Sequence, residues 1–194
     1  MIAGLILAAG ESSRMGQDKA LLIYQGRTFL ETIVATLHKA GIERVAAVLG
    51  HHAEQILQAV KLEGVETVIN RDYIRGQTSS LQAGLRALES PSLEAIMLCL
   101  VDHPLVSVET VRALIASFRE RGTHVVIPIF RNQRGHPVVI SRTLFEELLR
   151  LSPDEGADTV IRKYRDATQF VEVDDQGILL DVDDSEAYRR LSET

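Results

Sequence analysis

Gly10, Ser12, Ser13, Arg14, Gly16 and Lys19 crowd two cations and several small residues directly behind the apolar run Ile2 to Leu7. That run is short enough for a buried strand. Ala8, Ala9 and Gly10 carry almost no side-chain bulk, so the backbone after the strand is bare. Successive N–H groups in such a loop can form a concave anion site. Arg14 adds a planar fork suited to phosphate oxygens, and Lys19 adds a mobile point charge. This is the chemistry needed to hold a triphosphate. The loop is neither of the two common phosphate motifs. A Walker loop needs G-x-x-x-x-G-K-[ST], whereas Gln17 and Asp18 separate Gly16 from Lys19 and Ala20 follows. The dinucleotide fingerprint G-x-G-x-x-G is absent as well. Read only as a G-S-S-R loop, the stretch is a surface turn with solvated charges.

Three acids are candidates for a cation. Asp102 follows the apolar run Ala95 to Val101 and precedes His103 and Pro104. An acid at the carboxyl end of a central strand can hold Mg2+, which takes one or two carboxylates plus substrate phosphates. The competing reading is a turn aspartate that caps the next helix. Asp181 and Asp183 alternate along an extended stretch, so both can point to one side; a charged turn is the competing reading there. Between these regions, Asn70 to Thr78 forms a loop and Ser79 reads as the N-cap of a helix. A helix start offers free N–H groups to an anion or a base edge. His51 and His52 are adjacent, with no carboxylate or cysteine at useful spacing, so they read as solvated loop residues. His38 and His124 read as surface or helix-end residues. Arg131 and Arg134 flank a turn before Gly135-His136-Pro137, which reads as a charged hairpin or as the edge of an anion-acceptor site.

These residues need a scaffold, and the sequence supplies one. Thr28 and Glu31 make a capping box. Phe29, Ile33, Val34 and Leu37 follow at helical spacing, and Gly41 ends that helix. Val45 to Leu49 and Val65 to Ile69 read as strands around a helix over Ala53 to Val60. Helices are expected over Ser107–Arg121, Arg142–Leu151, Ala157–Tyr164 and Ser185–Leu191. Val125–Ile129 and Val138–Ile140 read as further strands. Thr168–Val173 and Ile178–Leu180 flank Asp-Asp-Gln-Gly, a hairpin signal. Alternating strands and helices with short connections argue for a parallel sheet covered on both faces, where ligands bind beyond the carboxyl ends of the strands.

The 194 residues fit one domain, 1–194, with a sizeable core. The net charge of -6 gives no basic surface for nucleic acid, so an anionic substrate must be met by local cations. Cys99 is the only cysteine, which excludes an intramolecular disulfide and points to a reducing compartment. It reads as a small buried hydrophobe. The first apolar run is too short for a membrane span and lacks a secretory signal pattern. The expected location is cytoplasmic.

The full string Leu7 to Lys19, L-A-A-G-x-S-x-R-M-G-x-x-K, resembles the signature of the nucleotidyltransferases that attach a nucleotide to molybdopterin. More narrowly it resembles the molybdenum-cofactor cytidylyltransferase branch of the MobA-like family, over essentially the whole chain. The resemblance implies a single-domain Rossmann-like α/β three-layer sandwich of the nucleotide-diphospho-sugar transferase type, with a mostly parallel central sheet and a small antiparallel hairpin element. It implies that Leu7, Ala8, Ala9, Gly10, Arg14 and Lys19 bind the nucleotide. Asn70, Thr78, Ser79 and Ser80 would meet the base and ribose, since G-Q-T-S-S-L is similar to the family's second nucleotide segment. Lys19, Arg14 and Asp102 would be the catalytic residues. Asp102 and an acid of the D-x-D segment, Asp183 ahead of Asp181, would hold Mg2+. Gly135 and His136, in a G-H-P similar to that of the cytidylyltransferase branch, would bind the acceptor. The family often carries G-D-x-G-A-R where this chain has Pro153-Asp154-Glu155-Gly156-Ala157-Asp158, so an acid replaces a cation near the acceptor.

The implied reaction transfers CMP from CTP to the phosphate of molybdopterin or its molybdenum form, for enzymes of the xanthine dehydrogenase type. The implied partners are these small molecules, with transient contact to molybdoenzyme maturation proteins and none with nucleic acid or membrane. The alternatives are the same chemistry with GTP or another phosphorylated acceptor, and a non-catalytic nucleotide sensor or delivery protein on this fold. A nicotinamide oxidoreductase is disfavoured by the missing glycine fingerprint.

Overall fold

The computed structural model describes residues 1–13 and 15–192. The chain runs β1 (Ile2–Ala8), the small strands β2 (Ile23–Tyr24) and β3 (Arg27–Thr28), α1 (Phe29–Lys39), β4 (Val45–Leu49), α2 (Ala53–Ala59), β5 (Val65–Ile69) and α3 (Gln77–Leu88). It continues through β6 (Ala95–Leu100), α4 (Val108–Arg121), β7 (Val125–Phe130), β8 (Gln133–Arg134), β9 (Val138–Ser141), α5 (Phe145–Leu149), α6 (Ala157–Lys163), β10 (Thr168–Glu172) and α7 (Ser185–Ser192). The main sheet has the order β10-β7-β9-β6-β1-β4-β5, with β8 on β7, and β2 pairs β3 in a separate hairpin. Only β8 and β9 run antiparallel in the main sheet; β9 lies between β6 and β7. The expected mostly parallel α/β sandwich with a small antiparallel element is therefore what the chain forms.

The period of two along β1 explains the layers. Ile2, Ile6 and Ala8 face Leu30, Ile33 and Leu37 of α1 and Val111 and Leu114 of α4. Ala3, Leu5 and Leu7 face the opposite way, onto Leu81, Leu85 and Leu88 of α3 and Leu148 of α5. Each fully buried Leu or Ile contributes about 1.5–3 kcal/mol, so both faces hold the central strands rigidly. The Thr28–Glu31 capping box forms as expected: the Thr28 hydroxyl accepts from Glu31 N at 3.2 Å while Glu31 Oε2 accepts from Thr28 N at 2.9 Å. Helix α1 thus starts at a defined residue, close behind the phosphate-type loop.

Two expectations fail locally. The hairpin over Thr168–Leu180 does not form. Strand β10 pairs parallel with β7, and Gln176–Ile178 coils into a 3-10 turn. The Asp175 carboxylate explains this: it accepts from Gly177 N within its own turn, and from Ser107 N and the Thr110 hydroxyl at the start of α4. Ile178 is fully buried, so its apolar surface is satisfied by the core rather than by a strand partner. The second failure is the single helix over Arg142–Leu151. It is a 3-10 turn, Arg142–Leu144, followed by the short α5.

Among the described residues no helix is long and apolar enough to cross a membrane.

Candidate functional site

The register of the central strands builds the site. Leu7 of β1 lies beside Leu100 of β6 and Val48 of β4. The loops that leave these strands therefore emerge side by side at their carboxyl ends, where open parallel sheets bind ligands. A cleft of about 300 Å³ opens there. Leu7, Ala8, Ala9 and Gly10 line it together with Lys19, Asp102 and Asp183. Arg14 lies outside the described residues.

The loop closes on itself before it reaches Lys19. Met15 N and Gly16 N both donate to the Ser12 carbonyl, and Lys19 N donates to the Ser12 hydroxyl at 3.1 Å. Lys19 Nζ then lies 3.0 Å from Asp102 Oδ2 and 2.6 Å from Asp183 Oδ1. Burial by itself would lower the Lys19 pKa. The hydrogen bonds and charges of Asp183 and Asp102 outweigh it and hold the ammonium above its usual range. Asp183 reaches this place because Val182 N donates to the Asp102 carbonyl at 2.9 Å and the Val182 side chain is buried beside Met15, Leu22 and Phe29. The same anchor leaves Asp181 exposed and outside the cleft lining. The other oxygen of Asp102, Oδ1, is buried with no hydrogen-bond partner among the described residues. Two carboxylates thus converge on one cation, with one acceptor oxygen to spare.

The second nucleotide segment divides in two. Ser80 lines the cleft with Gly76 and Gln77 of the same string, joined by Tyr73, which sequence reasoning did not single out. Asn70, Thr78 and Ser79 do not line it. Asn70 is buried; its Nδ2 donates to the Ser79 and Ser80 hydroxyls at 2.9 and 3.0 Å, and its Oδ1 accepts from Asp72 N. Thr78 donates to the Glu155 carbonyl, which ties α3 to the segment before α6. Ser79 is not the N-cap. Helix α3 begins at Gln77 with Gly76 as its cap, and the Ser79 hydroxyl bonds the Gly76 and Asp72 carbonyls.

Gly135 and His136 do not line the cleft. His136 N donates to the Ile178 carbonyl at 3.0 Å. A Cβ on Gly135 would come within 2.3 Å of that same oxygen, so only glycine allows the two turns to touch. The His136 ring stacks at a tilt on His103, centroids 5.1 Å apart, and both line a small apolar cavity with Cys99. Burial pushes His136 down to about 4 and lowers His103, whose Nε2 is 3.9 Å from Asp102 Oδ1.

His51 and His52 also depart from their reading as plain solvated residues. A carboxylate does approach them: Asp18 Oδ2 lies 3.0 Å from His52 Nδ1. Nothing in the local sequence pairs two residues so far apart.

An α/β sheet with a bare loop after its first strand and two acids around a lysine defines a nucleotide-binding transferase scaffold. Comparison with known proteins places it more closely. Residues 4–168 match the MobA-like NTP transferase domain. The chain is 34% identical to nicotine blue oxidoreductase of Paenarthrobacter nicotinovorans, over 98% of this chain and 96% of that protein. It is 27% identical to the molybdenum cofactor cytidylyltransferase of Escherichia coli, over 92% of this chain and 89% of that one. The crystal structure of Rv0371c from Mycobacterium tuberculosis superimposes with a TM-score of 0.89 at 34% identity, covering 100% of this chain and 97% of that one. A complex of Rv0371c with manganese gives a TM-score of 0.83 at 32% identity, covering 100% and 98%. The chain belongs to the MobA-like NTP transferase family.

Proposed function

We propose that the protein is a divalent-metal-dependent cytidylyltransferase that moves CMP from CTP to the phosphate of a molybdopterin-type acceptor. The observation that carries this reading is the convergence of Lys19, Asp102 and Asp183 in the cleft that the bare backbone of residues 7–10 also lines. An oxygen of the acceptor phosphate attacks the α-phosphorus of CTP. A new P–O bond forms, the α–β bridging bond breaks, and pyrophosphate leaves. The acceptor phosphate is already ionised near neutral pH, so positioning and charge neutralisation can carry the step without a strong base.

The roles follow from placement. The main chain of Leu7 to Gly10 and Ser80 in the first turn of α3 hold the nucleoside. Lys19, kept protonated by its two acids, neutralises phosphate oxygens, and Arg14 adds a second cation from the same loop. The donor set fits a hard divalent cation. Asp102 and Asp183 both line the cleft and would offer it carboxylate oxygens, the ligand type such an ion takes. Mg2+ held there would neutralise charge on the leaving pyrophosphate. The manganese complex of Rv0371c supports a divalent ion in a relative of this fold. Gly135 and His136 act on the acceptor side by holding the turn that borders Asp102.

A second reading has one observation in its favour: the 34% identity with nicotine blue oxidoreductase favours a redox activity on this scaffold. One experiment separates the two. The protein is incubated with molybdopterin, Mg2+ and each nucleoside triphosphate in turn, pyrophosphate is measured and the product is weighed by mass spectrometry. A cytidylylated pterin with CTP, and loss of magnesium-dependent turnover in Asp102→Asn, is the expected result. A guanylylated product would move the reading to GTP, and no pyrophosphate with any nucleotide would overturn it.

A further inference from the structure

Asp18, His51 and His52 come from two loops, yet one donor atom from each lies within 4.8 Å of the others. This is the group of at least three metal-ligating side chains that the described residues bring together, and it shares no residue with the Lys19–Asp102–Asp183 cluster. Adjacent residues on an extended chain point to opposite sides. Here His52 adopts left-handed backbone, φ 49° and ψ 29°, uncommon for a residue with a Cβ. That turn brings the two imidazoles together, ring centroids 3.7 Å apart at an interplanar angle of 41°.

The surroundings fix the three groups. His51 N donates to the Ala9 carbonyl at 3.2 Å, which ties the turn after β4 to the end of β1. Gly50 packs so closely on Tyr73 that a Cβ there would lie 2.6 Å from the tyrosine Cβ. The Tyr73 hydroxyl in turn lies 3.2 Å from His51 Nδ1. Metal-bound histidines commonly use their second nitrogen for such a partner, which orients the ring. It leaves His51 Nε2 for an ion. Asp18 is buried, and its Oδ2 to His52 Nδ1 distance of 3.0 Å is already close to the ~3.3 Å between donors around a tetrahedral ion with bonds of about 2.0–2.1 Å. His52 is half exposed and can follow the ion without disturbing the core.

We propose that Asp18, His51 and His52 bind one divalent cation of the zinc class, distinct from the hard cation of the transferase site. Two imidazoles and one carboxylate suit Zn2+, Co2+ or Ni2+, whereas Mg2+ prefers oxygen ligands alone. Three protein ligands leave a coordination position open, and Asp18 lines the nucleotide cleft. The ion clamps the residue before Lys19 to the turn after β4, and so sets where the loop presents its lysine.

Co2+ is the probe, because its visible absorption reports imidazole and carboxylate coordination. The whole chain is expected to bind one Co2+ with a visible band that Zn2+ displaces and excess Mg2+ does not. His51→Ala and His52→Ala should each lose the band. Tyr73→Phe should weaken Co2+ binding about tenfold through the freed His51 ring. Asp102→Asn should leave the band intact. Histidine-ring NMR of the unaltered protein supplies a check that needs no folded variant: Zn2+ should shift two of the six histidine rings and leave the other four in place. No band in the unaltered protein, a band that survives both histidine substitutions, a band lost in Asp102→Asn, or no histidine ring shifted by Zn2+ would each overturn the proposal. None of these outcomes depends on whether the protein transfers CMP.

Discussion

Asp102 stands between two regions that treat charge in opposite ways. On its Oδ2 side is the open cleft, where Lys19 stays charged because Asp102 and Asp183 surround it. On its Oδ1 side is the small apolar cavity of Cys99, His103 and His136, where burial favours the neutral forms. It pushes His136 down to about 4 and the Cys99 thiol up to about 12. A buried group keeps its charge when opposite charges stand within hydrogen-bond reach, and loses it when the neighbours are apolar. Strand β6 supplies this contrast over a few residues, since Cys99 points into one layer and Asp102 leaves the strand at the cleft.

The largest effect should come from breaking the charged side. Lys19→Ala leaves Asp102 and Asp183 facing each other without their shared cation. We expect nucleotide turnover to fall about 10²–10³-fold, the range for loss of one preorganised electrostatic group, while circular dichroism shows the fold retained. Near-normal pyrophosphate release in that variant would mean that the charge cluster is structural.

A smaller effect tests the neutral side. Burial holds His136 down to about 4 in the folded chain, against the ordinary histidine value of 6.5 in the unfolded chain. Between those values the unfolded state binds more protons, so stability rises with pH through this window. It is fully present above about 6.5 and is lost as pH falls toward 4, by on the order of 3 kcal/mol. Urea midpoints from pH 7 to 4 should show that slope, and His136→Gln should flatten most of it. An equal slope in the variant would assign the loss to other groups.

The smallest effect is an absence of change. Cys99 is buried, and its thiol sits far above neutral pH. A thiol reagent at pH 7 should label it no faster than the protein unfolds. Rapid labelling of the folded chain would show that the apolar cavity opens readily and would erase the contrast with the cleft.

Much of the scaffold was legible because it is local. Strand β1, the capping box at Thr28 and Glu31, and the apolar faces of α1 and α3 follow from periodicity and cap chemistry over a few residues. The fold class follows from their alternation. Legibility ended where a side chain was claimed by a distant partner. Asp175 turned the expected hairpin into a 3-10 turn by bonding to the start of α4. Asn70 and Thr78 have the residue types of ligand-binding groups, yet their hydrogen bonds go to Ser79, Ser80 and Glu155. His51 and His52 looked solitary because Asp18 lies on another loop.

The residues alone determined that the first strand ends in a bare, cationic loop, and that apolar strands would stack beside it between helices. Those properties depend on neighbours in the chain. Which acids meet Lys19 was decided by tertiary structure. Asp102 and Asp183 are 83 and 164 residues away, and they reach it because β1 pairs with β6 in register and Val182 is buried beneath the loop. Such pairing is set by packing over the whole sheet, and no spacing within the loop encodes it.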